Sequence, residues 1–188
     1  MDSDRAVTAL AWHLRSFFKG HSIDLVSWPK GPIENVLPGF KVHRISPGPK
    51  SQLWTYVSSG AHRVSQPNSG PLEFALMSEK DNPRCVELLA MVAHYHFGHG
   101  LGVGHTLTVG EPWLPRSTCT AMLVSVPYPY GPAFEICKFP QGHVHILWLL
   151  PITEAEREFK VAHGVEKLED LFEQRAVKYW APDRASEV

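Results

Sequence analysis

The sequence predicts an α+β fold, with helices packed on a sheet, from three observations. Val144 to Leu171 turns from an apolar run rich in β-branched and aromatic residues into an acid-rich helical segment within two residues. Asn82-Pro83 opens a second helical stripe in which apolar residues recur every three or four positions. Leu53 to Ser58 and Leu72 to Met77 have strand composition, lie between turn-forming clusters and read as neighbouring antiparallel strands.

In chain order, Ala6 to Phe18 carries Leu10, Leu14, Phe17 and Phe18 near the helical repeat, so an amphipathic N-terminal helix within residues 1–25 is expected to dock on the sheet and end at Gly20. Residues 22–50 hold Pro29, Pro32, Pro38, Pro47 and Pro49, which predicts a segment winding over the surface with room only for short strands such as Val42 to Ile45. A turn is expected over Gln66 to Gly70, between the two antiparallel strands. Cys85, Leu88, Leu89, Val92, Tyr95 and His96 then form the buried stripe of the longest central helix, with Asn82 as its cap and Pro83 at its first position.

Leu107 to Val109 and Ala121 to Val126 read as strands, and Phe134 to Phe139 as one arm of a hairpin turning at Pro140-Gln141-Gly142. Its other arm, Val144 to Leu150, is apolar throughout, so it is expected to be covered on both faces. Pro151, which has no N–H to give to a ladder, is expected to end it. Thr153 and Glu156 have the spacing of a capping box, Glu154 adds negative charge at the helix start, and Gly164 is placed to supply the left-handed residue that closes the helix. Val165, Leu168, Leu171 and Phe172 form a last helical stripe before a polar, proline-containing tail.

At 188 residues one domain over 1–188 is expected, and 44% hydrophobic against 20% charged residues excludes intrinsic disorder except at the ends. A formal net charge of −1 provides no general attraction for nucleic acid or an anionic membrane, so neither is an expected partner. Three widely spaced cysteines, Cys85, Cys119 and Cys137, fit neither a disulfide framework nor a Cys-x-x-Cys site and suit a reducing cytoplasm. The N-terminus lacks a basic start and a continuous apolar core of a secretion signal, and no apolar run approaches the roughly 20 residues that span a bilayer.

Several constellations invite a chemical reading. His94, His96, His99 and His105 lie close in sequence and His143 and His145 share a strand face, but no His-Glu-x-x-His pattern organises them for a metal. Cys85 falls in a first helical turn, where a thiolate is stabilised, yet it also lies on the apolar stripe, as a packed cysteine does. The glycine run Gly98 to Gly104 follows a helix and lacks the Lys-Ser/Thr of a phosphate loop. Glu154, Glu156, Glu158, Glu166, Glu169 and Asp170 read mostly as a solvated helix face. No cofactor is expected. The aromatics Trp54, Tyr56, Trp113, Tyr128, Tyr130 and Phe134 cluster around proline- and glycine-rich connections, where rigid rings serve as contact anchors as well as core. Val126 to Phe134, VPYPYGPAF, is the best candidate for a pre-ordered recognition edge. The candidate partner-binding residues are therefore His99, His105, Trp113, Tyr128, Tyr130 and Phe134.

WTYVSSGA (54–61), LEFALMSE (72–79), LLAMVAHYHF (88–97), GVGHTLTVGEPWLPRS (102–117) and VHILWLLPITEAEREFKVAHGVEKLEDLF (144–172) together resemble the Suppressor-of-fused domain family, most of all its bacterial single-domain members, over about residues 30–185. The resemblance implies a central, mostly antiparallel (mixed) sheet flanked by helices, and a non-catalytic protein-binding domain, monomeric or weakly homo-oligomeric. Animal members hold Gli-type transcription factors in the cytoplasm and carry a further C-terminal domain that this sequence is expected to lack. Bacterial relatives have been proposed as immunity proteins, so the expected partner is another protein, a toxin or a regulatory partner. No catalytic residue follows from the resemblance. The competing expectation is a metal- or thiol-dependent enzyme using residues 94–105 with His143 or His145, or Cys85.

Overall fold

The computed structural model describes residues 3–64, 70–140 and 142–188. Its elements are α1 (Ser3–Phe17), β1 (Ile23–Ser27), α2 (Ile33–Val36), β2 (Lys41–Ile45), β3 (Trp54–Ser59), a 3-10 turn (Ala61–Arg63), β4 (Leu72–Ser78), α3 (Pro83–His99), β5 (Thr106–Thr108), β6 (Ala121–Ser125), α4 (Pro132–Glu135), β7 (Ile136–Phe139), β8 (Gly142–Ile152), α5 (Glu154–His163) and α6 (Val165–Gln174). Among the described residues the eight strands form one mixed sheet, ordered β1-β2-β3-β4-β8-β6-β5, with β7 beside β8. Among the described strand pairs only β4 and β8 run parallel; the other pairs are antiparallel. This is the fold class that the sequence predicts.

Side chains alternate across the sheet, so each face has its own core. On one face Val42, Tyr56, Phe74, Leu147 and Leu149 meet the Cys85, Leu88, Leu89 and Val92 stripe of α3. The cap of that helix is as expected, with the Asn82 side chain accepting from the Arg84 N–H and Pro83 at the first position. Tyr95, placed on the stripe by its spacing, instead remains 37% exposed near the helix end. The opposite face is shared. Leu10 and Leu14 of α1, with Phe18 just after it, cover Ile45, Val57, Ala75, Val144 and Ile146, while Leu168 and Phe172 of α6 cover Met77, Leu123, Trp148, Leu150 and Ile152.

Four expectations need correction. Residues 22–50 do more than wind over the surface: Ile23–Ser27 is the edge strand β1, paired with β2, and Ile33 and Leu37 reach the core around α2. The prolines of this segment stand between these short elements and interrupt none of them. Pro151 does not end β8, for it pairs with Met122 of β6. Its carbonyl accepts from Arg184 Nη2 at 2.7 Å, so its backbone edge points away from β6 and the missing N–H removes no ladder bond. Glu156 is not on a solvated face but fully buried. The polar tail is packed, because Arg184 returns to Glu156. Most of the expected turn at 66–70, and Gln141 of the expected hairpin turn, lie outside the described residues; the hairpin itself is present, with Phe139 opposite Gly142.

The capping box and the tail share one carboxylate. The Thr153 hydroxyl accepts from the Glu156 N–H, Glu156 Oε2 accepts from the Thr153 N–H, and Arg184 donates to both Glu156 oxygens at 2.7 Å. Gly164 closes α5 through an N–H to the Lys160 carbonyl, but with φ of 93° and ψ of 160° it is not the expected left-handed residue: its backbone extends to lead directly into α6. A second buried carboxylate, Glu73, accepts from the backbone of Gly60 and His62, the Ser58 hydroxyl and the His62 ring. Burial alone raises such a carboxyl, but the His62 and Ser58 contacts outweigh it and hold Glu73 below its ordinary range. Nearby His43 is pushed down to about 4 by burial, against the opposing attraction of Glu73.

Two stability outcomes follow. Arg184→Met leaves Glu156 buried without its cation and is expected to cost about 3–5 kcal/mol in urea unfolding, with part of the loss recovered by adding Glu156→Gln. The folded His43 has a pKa below its unfolded value near 6.5, so the unfolded chain binds more protons between the two. Unfolding free energy is therefore expected to fall as pH drops from 6.5 towards 4, by on the order of 3 kcal/mol, and His43→Gln should flatten that slope.

Candidate protein-binding site

β6 and β7 run in the same direction along one edge of β8, opposite residues 148–152 and 142–145, respectively. Only Ile146 and Leu147 of β8 lie between the two pairings, yet the chain spends residues 126–135 passing from one strand to the other. That excursion is the proline-tyrosine segment singled out in the sequence. Pro127 starts a tight turn in which its carbonyl accepts from the N–H groups of Tyr130 and Gly131, both at 2.9 Å. The result separates its rings. Tyr130 turns inward, packing 5.4 Å from Phe18 and 5.0 Å from Phe134, with its hydroxyl 3.0 Å from Thr55 Oγ1. Tyr128 turns outward and is 61% exposed.

Tyr128 forms one wall of a groove of about 450 Å3 whose other side is α6 and the turn after it. Leu150, Phe172 and Val177 give the groove an apolar floor, and Tyr179 stands edge-on to both Trp148 and Phe172, at 5.2 and 5.6 Å. The turn depends on Ala176, a non-glycine residue at φ of 49°, and on the Val177 N–H reaching the Phe172 carbonyl. Glu166, Glu169, Asp170 and Glu173 line the groove, and among the described lining residues there is no lysine, arginine or histidine. Glu169 is held from both sides, by the Ser125 hydroxyl and by the Tyr128 hydroxyl at 3.1 Å. Burial and the Glu169 charge raise the Tyr128 phenol, and burial followed by Glu169 pushes Tyr179 up to about 12, so both stay protonated hydrogen-bond donors.

The other candidate residues are not brought to this groove. Trp113 and Phe134 are fully buried core residues, so their exposure as contact anchors is corrected. His99 lies at the end of α3, stacked at 4.3 Å on Tyr95, and His105 is exposed before β5; neither lines the groove. By composition alone the α6 carboxylates read mostly as a solvated helix face. Their signal was available, because positions 166, 169, 170 and 173 follow i, i+3, i+4, i+7 and so share one side of a helix.

The chemical alternatives can be placed as well. His96 is buried, with Nδ1 accepting from the Leu101 N–H at 2.8 Å, while His143 and His145 face each other 4.8 Å apart beside Glu135. Among the described residues no group of three His, Cys, Asp or Glu side chains is arranged to hold a metal. Cys85 is fully buried and its thiol is pushed up to about 12 by burial, opposite to an activated thiolate. No helix among the described residues is long and apolar enough to cross a membrane.

Residues 37–185 match the family profile of Suppressor of fused protein (SUFU). A crystal structure of a SUFU homologue from Neisseria gonorrhoeae FA 1090 aligns at 34% identity and a TM-score of 0.86, covering 98% of both chains. The chain belongs to the Suppressor of fused family. Two more distant SUFU structures share its fold: that of the Sufu–Fu complex, at 14% identity and a TM-score of 0.73 over 97% of this chain and 92% of that one, and Drosophila Suppressor of Fused, at 15% and 0.72. The chain aligns over 97% of its own length with the Drosophila protein but spans about half of that protein, 51%. No curated protein matches the sequence significantly.

All three thiols, Cys85, Cys119 and Cys137, are free and buried. In the native protein at pH 8 they are expected to react with an aromatic disulfide reagent only at the rate of unfolding, and fully once urea is added. Fast stoichiometric labelling of Cys85 in the folded state is the contrary result.

Proposed function

We propose that this SUFU-family chain is a protein-binding domain, that it works in the cytoplasm, and that its partner is a toxin which it neutralises by covering the toxin's working surface. The observation that carries the reading is the groove beneath Tyr128, a preformed concavity with an apolar floor and an exposed, hydrogen-bonded tyrosine at its edge. Rigid aromatic anchors next to apolar pockets are where protein interfaces concentrate their binding energy. The groove is lined by ten residues, fewer than the roughly 20–30 that a standard interface engages on each partner, so it serves as the centre of a wider contact. The Sufu–Fu complex supports the binding role by showing a protein of this fold in a protein assembly. The three free thiols support a reducing compartment.

Two measurements test the reading in sequence. Affinity capture from the native host, followed by size-exclusion chromatography of the purified pair, should recover a stoichiometric complex that Tyr128→Ala weakens. Expression of the captured partner, or of a toxin-like reading frame beside the gene, should arrest growth, and co-expression of this chain should restore it. A chain that elutes alone against every captured candidate loses the binding role, and a harmless partner removes the toxin.

A further inference from the structure

We propose that the groove receives a segment of the partner protein in which arginine or lysine adjoins a large apolar side chain, the apolar group entering over Leu150, Phe172 and Val177 and the cation meeting the α6 carboxylates. This rests on the reading of the chain as a protein-binding domain and specifies what its partner must present.

Charge complementarity selects the occupant. Glu166 with Asp170 and Glu169 with Glu173 are like-charge pairs at i,i+4, each of which costs a helix some tenths of a kcal/mol. No ion pair relieves any of the four among the described residues, in contrast to Glu154, which pairs with Arg157 on the preceding helix. The unrelieved stripe stands over an apolar floor, and the combination excludes simpler occupants. A small inorganic cation gains nothing from Leu150, Phe172 and Val177, and a purely apolar segment leaves four carboxylates to be desolvated without a cation. Tyr128 adds a fitting surface. Its ring is open to solvent beside Glu169, so a guanidinium can lie against the ring face while donating to the carboxylate. Arginine suits that double contact better than lysine, because its planar fork stacks and donates at once.

The test uses the full chain, 15N-labelled, and short capped peptides with alternating arginine and leucine, compared with arginine-serine and glutamate-leucine versions. The arginine-leucine peptide is expected to shift the amides of residues 166–179 and the Tyr128 signals in a saturable way. The other two should bind at least about tenfold more weakly. Asp170→Lys combined with Glu173→Lys changes two exposed positions, so folding should survive, as the unperturbed spectrum will show; it should weaken the peptide by about tenfold or more, and Tyr128→Ala should weaken arginine more than lysine peptides. Equal binding of arginine-serine peptides overturns the proposal in favour of a non-specific acidic patch. Shifts elsewhere on the protein overturn it outright. Dimerisation in sedimentation that the double charge reversal abolishes assigns the groove to a second copy of this chain instead. If the purified natural partner binds the double variant undiminished, the groove assignment fails while the protein-binding role stands; if peptides bind as expected but no partner exists, that role fails and the groove chemistry stands.

Discussion

The structure depends on covering β8. Its eleven residues, Gly142–Ile152, are longer than any other strand, and from Ile146 to Ile152 every side chain is buried. A strand of that length with both faces apolar must find partners on two edges and two layers along its whole extent. No single neighbour is long enough. β4 pairs with residues 145–148 on one edge, and the other edge is divided between β7 and β6. The second face is divided in the same way, between α1 at one end and α6 at the other.

Those divisions create the junctions where the remaining features sit. Where β4 gives out, the β8 edge at Pro151 is reached by Arg184, and the ion pair with Glu156 fastens tail, strand end and helix cap together. Between β6 and β7 the chain loops out over residues 126–135. Tyr130 fills the seam between the two clusters on that face, touching both, and Tyr128 is left outside above α6. The groove is thus a consequence of how the long strand is covered. Its floor is the core of α6 and β8, its wall is the interruption of the neighbouring edge, and its charge comes from the helix side facing away from that core.

Much of this was legible from local signals. The capping box at Thr153 and Glu156, the Asn82-Pro83 helix start, the apolar run of β8 and the hairpin of β7 with β8 are each specified within a few residues, and the structure has all four. The failures share one cause. Pro151 reads as a strand terminator because proline lacks a donor, but whether that matters depends on which way the residue faces in the sheet. Glu156 and Arg184 look like surface residues because their burial is tolerable only once they meet, 28 positions apart in sequence. Trp113 and Phe134 share with Tyr128 a proline- and glycine-rich setting, and nothing local says which ring turns inward.

By itself the sequence determined the elements, their caps, the class of the fold and the family, because periodicity, capping and turn chemistry act over a few neighbouring residues. It also contained the acidic stripe of α6, without saying what that stripe faces. Tertiary structure alone decided the parallel pairing of β4 with β8, the split edge, the buried Glu156–Arg184 pair and the meeting of Tyr128 with Glu169 over an apolar floor. These join residues far apart in the chain, and their energies exist only when the intervening segments have already been placed against one another.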